Sequence, residues 1–459
     1  MHTTTPTTTH TLERRLGPFD AAAIIVSNVI GAGILFTPPQ IAASVPNAVL
    51  FLSVWLAGGV LAFAGAMAYA ELAALRPRAG GEYVYLRDAF GPLAAFLTGW
   101  TSFVAGFSGA IAASAVVFPF YLARFIPAAA DQTPLAAVPI VPGWLQLTVS
   151  PQTVCALALI WGLAWIHLRG VGPGRIVGNI LAALKVSSFV LLIAFGFSLG
   201  AGDAARLTQA AGPVSATGWL LALLAVGFTY SGWNAAAYVA EEIRDPGRNV
   251  PLAFALGTGA VIAIYLGMNA LYLYVVPIDE LATVDVSILD LAADRLIGPL
   301  AGNIMAVVGL ISLAASISAM TFAGPRVYFA MARDGVFFRQ ASSIHRRYRT
   351  PAVAIVGQSV WASVLVLSAK ADPLINYTGF AIWVFSGMAV AALFVLRARE
   401  RDAVRPFRTW GYPLLPGLYA AVALFVVVNA LYRAPGPTGA GALIILAGIP
   451  LYRFFRRRR

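Results

Sequence analysis

Twelve charge-poor, apolar runs follow one another along this chain, near residues 20–45, 48–73, 93–126, 152–168, 178–200, 217–240, 250–276, 299–323, 352–369, 373–396, 413–432 and 438–455. Each is close to the length, about 20 residues, that an α-helix needs to cross the hydrocarbon core of a bilayer. Lipid offers no partner to a backbone N–H or C=O, so a spanning segment has to bond these groups internally. With 59% hydrophobic and 11% charged residues among 459, the chain also carries more apolar surface than a soluble core of this size buries. The expected fold class is therefore an all-α membrane protein of about 12 transmembrane helices, with the lipid bilayer as its surroundings.

A net charge of +12 raises the question of nucleic acid, and its distribution answers it. Alternate connections between the runs divide Lys and Arg into sets of 26 and five. The rich set holds Arg14 and Arg15; Arg76, Arg78 and Arg87; Arg169, Arg175 and Lys185; Arg244 and Arg248; six arginines from Arg326 to Arg349; five from Arg397 to Arg408; and five from Arg453 to Arg459. The poor set is Arg124, Arg206, Arg295, Lys370 and Arg433. The positive-inside rule places both termini in the cytoplasm of a multi-pass protein of the cell inner (plasma) membrane, and no nucleic-acid partner is expected. Residues 1–18, rich in Thr and without an apolar leader region, read as a disordered cytoplasmic tail.

Two interruptions break the runs at matching places. Gly31-Ala32-Gly33 lies in the first and Ser231-Gly232-Trp233-Asn234 in the sixth. A glycine inside a helix costs about 1 kcal/mol relative to alanine. One reading is close helix packing by small residues; the other is a pair of broken helices, the best sequence pointer to a transporter site. Five runs before the second break predict a 5+5 inverted repeat with broken helices 1 and 6, followed by two more helices. The expected divisions are the tail 1–18, a first five-helix repeat 19–200, an inverted second repeat 201–397, and helices 11 and 12 with a basic tail over 398–459. The loops 76–83 and 241–249 mix charge signs and are expected to pair their own charges. The acidic stretch 277–298 reads as a solvated amphipathic cap, or as an attractor of cationic substrates.

Ile30-Gly31-Ala32-Gly33-Ile34, Ala79-Gly80-Gly81-Glu82-Tyr83, Phe228-Thr229-Tyr230-Ser231-Gly232-Trp233-Asn234, and Glu241-Glu242 through Arg248-Asn249-Val250-Pro251 together resemble the amino acid–polyamine–organocation superfamily. The sixth-span string is most similar to the L-type amino-acid transporter branch, with its bacterial serine/threonine and alanine exchangers. The resemblance covers the first ten spans; the last two match only in hydropathy. It implies the LeuT-like inverted-repeat fold and transport by alternating access.

The expected site follows from the breaks. The N–H groups of Ala32, Gly33 and Ile34 would open a new half-helix, whose N-terminus carries about half a positive charge and suits a substrate carboxylate. Carbonyls at the ends of the preceding half-helices, near Ile30 and Tyr230, would suit the ammonium. Ser231, Trp233 and Asn234 line the second break, where the Asn amide can donate and accept, or bridge helices instead. Phe228 is an ordinary core aromatic or, as the resemblance implies, an outer thin gate over the substrate.

Lys185 is the ionisable residue deepest in a span, and such residues mark function by default; snorkelling to the interface is the other reading. It lies at a depth where Ser316 and Ser318 can meet it. The resemblance implies that a lysine here stands where sodium-coupled relatives hold a cation, bridging the first half-helix to Ser316. A permanently charged Lys185 would favour sodium-independent exchange, and one that cycles its proton would allow symport.

Asp20 and Glu71, near inner span ends, read as interfacial or structural, which favours neutral L-amino acids as substrates over cationic amino acids or polyamines. A non-transporting amino-acid sensor would need a long cytoplasmic extension. His2, His10, His167 and His345 form no metal-ligand or nucleophile–base spacing, and no phosphate loop is present, so neither an enzyme, an ATP-driven pump, a metal nor a cofactor is expected. Cys155, the only cysteine, lies inside the fourth run. Since 127–151 contains none, no disulfide-linked subunit is expected through that loop, and the chain should act as a monomer or homo-oligomer.

Overall fold

The computed structural model describes residues 12–31, 33–141, 145–198, 202–284, 287–298, 301–368, 371–433 and 435–457, with side chains omitted at 145, 297, 371–378 and 437. The expected apolar runs are helices. The first is a pair, α1 (Pro18–Val29) and α2 (Gly33–Ser44), bent by 51° at the break. Then come α3 (Ala48–Leu75), the short α4 (Glu82–Phe90), and α5 (Pro92–Thr101), which continues through a π turn at Ser102–Gly106 into α6 (Phe107–Leu122). A two-stranded hairpin, β1 (Ala136–Val141) and β2 (Leu145–Val149), leads to α7 (Pro151–Leu168) and α8 (Val171–Ser198).

The second half opens with α9 (Ala216–Thr229) and α10 (Ala235–Tyr238), separated by the second break, and passes into α11 (Pro246–Val275). Two small helices, α12 (Ile278–Leu281) and α13 (Ile288–Ile297), precede α14 (Ala301–Arg333), α15 (Ala352–Leu367) and α16 (Ala371–Arg399). The chain closes with α17 (Leu414–Arg433), α18 (Pro435–Leu446) and α19 (Gly448–Arg457). Among the described residues nine helices are long and apolar enough to span a membrane alone, and the bent pair makes a tenth. The expected sixth and ninth spans appear as the shorter apolar helices α9 and α15. The fold is all-α, with helices 1 and 6 broken.

Local chemistry sets where the helices start. Proline opens α1, α5, α7 and α11, where its missing N–H costs nothing because the first amides of a helix have no internal partner. Asn47, Ser150 and Ser215 accept from the first-turn amides of Leu50, Thr153 and Gly218. The helices at the centre of the bundle are apolar all round because protein, not water, covers them. Helix α11 packs on α1 and α3, and α14 packs on α1, α6 and α8.

The two breaks face one another. Helix α2 packs on α9, and α1 packs on α10, so each half of the first broken span meets the opposite half of the sixth. Two glycines permit this approach. Gly232 has φ +103°, and a Cβ there would lie 2.6 Å from Asn28 Nδ2; a Cβ on Gly33 would lie 2.7 Å from Thr229 Cγ2.

Three expectations change. Residues 1–11 of the expected tail lie outside the described residues, but 12–17 are packed rather than free. Leu16 pairs with Ile243, its N–H donating to the Glu242 carbonyl at 2.9 Å while Arg244 N–H returns to Leu16 at 2.9 Å. The mixed-sign loops do not simply pair their own charges: Glu241 and Glu242 bind Arg333 and Arg326 of α14. Arg76 reaches Glu400 beyond α16. The stretch 277–298 is not merely a solvated cap, because Ile278, Leu281, Ile288, Leu289, Ala292 and Ala293 are buried in the core.

Candidate functional site

The first break ends α1 at Ile30 and starts α2 at Gly33, leaving helix-end carbonyls and amides without intrahelical partners. Lys185 of α8 fills the carbonyl side. Fully buried, it donates from Nζ to the carbonyls of Ile30 (2.5 Å) and Ser27 (3.1 Å) and to Ser316 Oγ of α14 (3.0 Å). An ammonium has three donors and no acceptor, so these three partners match its charged form in number and kind. Ser316 Oγ lies 2.9 Å from the Ser27 carbonyl and 3.2 Å from that of Ile30, closing a compact polar knot among α1, α8 and α14. The Ile30 carbonyl, expected to face a substrate ammonium, is thus engaged by the chain itself.

At the second break, the carbonyls of Tyr230 and Ser231 accept no hydrogen bond among the described residues. Tyr230 is buried; its hydroxyl donates to the Trp55 carbonyl at 3.2 Å, and its ring lies 4.9 Å from that of Tyr265. Tyr265 Oη in turn reaches the carbonyls of Val29 (3.0 Å) and Thr229 (3.2 Å), one from each break. Asn28 bridges the breaks directly, donating from Nδ2 to the Gly232 carbonyl at 3.0 Å.

Beside this crossing lies a cavity of about 170 Å³. Ser231, Trp233 and Asn234 line it, with Asn28, Thr98, Thr101, Ser102 and Glu82 supplying further polar surface, and Trp383 and Tyr419 aromatic walls. Ile30, Gly31, Gly33, Ile34, Phe228, Tyr230, Lys185 and Ser316 lie outside its lining. Ile34 is buried, Phe228 is 41% exposed and within reach of Gly379, and Ala32 falls outside the described residues. Trp233 stacks edge-on against Tyr69 (4.8 Å) and Tyr419 (5.7 Å), so its indole forms wall as well as core.

The sequence expectations omitted Glu82 as a cavity residue. It opens α4, outside the spanning helices, yet folds under the cavity and is 7% exposed. Tyr69 Oη and Asn234 Nδ2 each donate to its Oε1 at 2.6 Å, and Asn234 Nδ2 also lies 2.9 Å from Tyr238 Oη. Burial raises the Glu82 carboxyl above the usual carboxylate range, opposed by hydrogen bonds from Tyr69 and Asn234. Asp20 and Glu71 are structural. Asp20 accepts the Gly17 amide at the start of α1, and Glu71 binds Arg397, Arg405 and the Thr409 amide.

Two opposed broken helices beside a largely apolar cavity, with Asn28, Ser231, Asn234 and Glu82 as polar groups in its wall, define a broken-helix secondary transporter. The chain belongs to the amino acid permease family, which it matches over residues 16–455, and within it to the L-type branch of the amino acid–polyamine–organocation superfamily. It is 28% identical over 450 residues to the serine/threonine exchanger SteT of Bacillus subtilis, covering 98% of both chains. It is 29% identical over 452 residues to the human large neutral amino acids transporter small subunit 2, covering 96% of this chain and 80% of that one. To the mouse b(0,+)-type amino acid transporter 1 the identity is 28% over 453 residues, covering 97% and 89%.

Proposed function

We propose that this chain carries neutral L-amino acids across the cell membrane by alternating access, without sodium, as an exchanger. The observation that carries the reading is the contact of Lys185 Nζ with the Ser27 and Ile30 carbonyls and Ser316 Oγ between α1 and α14, which fills the place where a bound cation would otherwise coordinate. The amides that open α2 then serve the substrate carboxylate. The free carbonyls of Tyr230 and Ser231 serve its ammonium. Phe228, half exposed beside the break, closes the outer side, and the arginine-rich end of the bundle faces the cytoplasm. Relatives named for serine and threonine and for large neutral amino acids support the substrate class.

Residues 127–151 hold no cysteine, and Cys155 lies within α7. The chain therefore works without a disulfide-linked companion through that loop, alone or as a homo-oligomer.

Uptake of a labelled neutral amino acid into proteoliposomes, with external sodium replaced by choline, tests the proposal. Unchanged uptake is expected; a large loss would remove Lys185 from the role of sodium substitute. A second reading, cationic amino-acid transport, is favoured by one observation, the Glu82 carboxylate in the cavity wall. Competition by arginine as strong as that by serine would select it.

A further inference from the structure

Among the described residues three carboxylates are buried, and two of them are ion-paired. Glu71 meets Arg397 and Arg405, and Glu242 meets Arg326 at 2.8 Å. Glu82 has no cation beside it. The groups that face it are Tyr69 from α3, Tyr85 on its own helix, Thr98 from α5, Asn234 and Tyr238 around the second break, and Tyr419 from α17. All are neutral around pH 7, tyrosine ordinarily losing its proton only near pH 10. A buried carboxylate surrounded by neutral groups either takes up a proton or leaves an uncompensated charge.

The hydrogen bonds connect that protonation to the transport pathway. Asn234, beside the second break, is held by Glu82 Oε1. The same segment is held to the loop before α4, where Gly80 N–H donates to the Tyr238 carbonyl at 3.1 Å and Ala79 N–H to Glu241 Oε2 at 2.9 Å. The loop and α4 therefore form a latch on the inner half of the sixth span. We propose that Glu82 is a proton-binding residue of the substrate cavity, gripping Asn234 tightly when ionised and loosely when protonated. The proton state of Glu82 thereby sets how readily the latch releases. Hydrogen bonds to an ionised acceptor are roughly twice as strong as neutral ones, so lower pH weakens the grip and speeds exchange. Lys185, whose three donors are engaged by Ser27, Ile30 and Ser316, lies outside the cavity lining and takes no part in the latch. The inference rests on the transport reading above.

The test is counterflow exchange of labelled serine in proteoliposomes of the full chain, with equal pH on both sides, from about pH 8 to about pH 5. The wild-type rate should rise several-fold along one titration whose midpoint lies above the ordinary glutamate value of about 4.3. Glu82→Gln should give a flat profile, running at pH 8 near the rate that the wild type reaches at low pH. Tyr69→Phe, which removes one donor to the ionised form, should move the midpoint upward, and it decides the matter if Glu82→Gln does not fold. A flat wild-type profile, an unchanged profile in Glu82→Gln, or an unmoved midpoint in Tyr69→Phe would overturn the proposal. So would arginine competition that Glu82→Gln abolishes, since the carboxylate would then serve a substrate cation. Absence of any wild-type exchange would instead count against the transport reading.

Discussion

In the proposed function Lys185 takes the place of an ion. A buried ammonium without acceptors would cost several kcal/mol, yet here two carbonyls and a hydroxyl receive its three protons. Lys185→Met keeps the length and removes every donor, leaving the Ile30 and Ser27 carbonyls with fewer partners. Uptake should fall by at least about tenfold, as loss of a charge-assisted contact of 1.5–3 kcal/mol implies; near-normal uptake in a well-folded Lys185→Met protein would contradict the role. The buried Arg326–Glu242 pair belongs to stability. Arg326 donates to both carboxylate oxygens and to the Phe322 carbonyl, and its guanidinium lies 3.9 Å from the Phe322 ring centre. Arg326→Met leaves Glu242 buried and unpaired, with an expected loss of about 3–5 kcal/mol, visible as a lower melting temperature in detergent. An unchanged melting temperature would show that the pair is dispensable.

At the scale of elements, opposite halves of the broken spans cross closely, and Gly33 is where α2 meets Thr229 of α9. Gly33→Ala places a methyl against Thr229 Cγ2, pushing the opening amides of α2 off the site. Substrate affinity should fall, and Thr229→Ser, which deletes the colliding methyl, should restore it in the double variant. Full affinity in Gly33→Ala alone would mean that the position of α2 does not set carboxylate binding. These breaks were legible because glycine at matching places inside apolar runs stands out, and Lys185 was legible as an isolated charge deep in a span. Counting turns along two helices brought both Ser316 and Ser318 to its depth; the structure gives Ser316 to Lys185 and Ser318 to His167. Glu82 was not legible as a cavity residue. It lies in a loop motif between two spans, and only the return of α4 under the bundle brings it to Asn234. The π turn at Ser102–Gly106, which puts Ser102 and Gly106 on the cavity wall, likewise has no marker in a run that is apolar throughout.

For the molecule as a whole, hydropathy conveyed the succession of apolar helices: nine of spanning length, the bent pair, and the shorter α9 and α15 together match the twelve expected runs. What hydropathy could not convey is how the basic end is fastened. Arg76 with Glu400, Arg87 with Asp334, and Arg397 with Glu71 join segments hundreds of residues apart, and Arg76 also meets Asp88 across the loop between α3 and α4. Pairings at such separation leave no local pattern. These ties hold the two halves together at one end, while the cavity and its latch lie at the crossing of the two breaks. On the proposed function this assembly exchanges one amino acid for another around Lys185. Uptake of labelled serine should be measured in proteoliposomes with and without an excess of unlabelled serine inside. Rapid uptake is expected only into loaded vesicles, in choline as in sodium. Equal uptake into empty vesicles, or uptake that needs sodium, would rule out sodium-independent exchange.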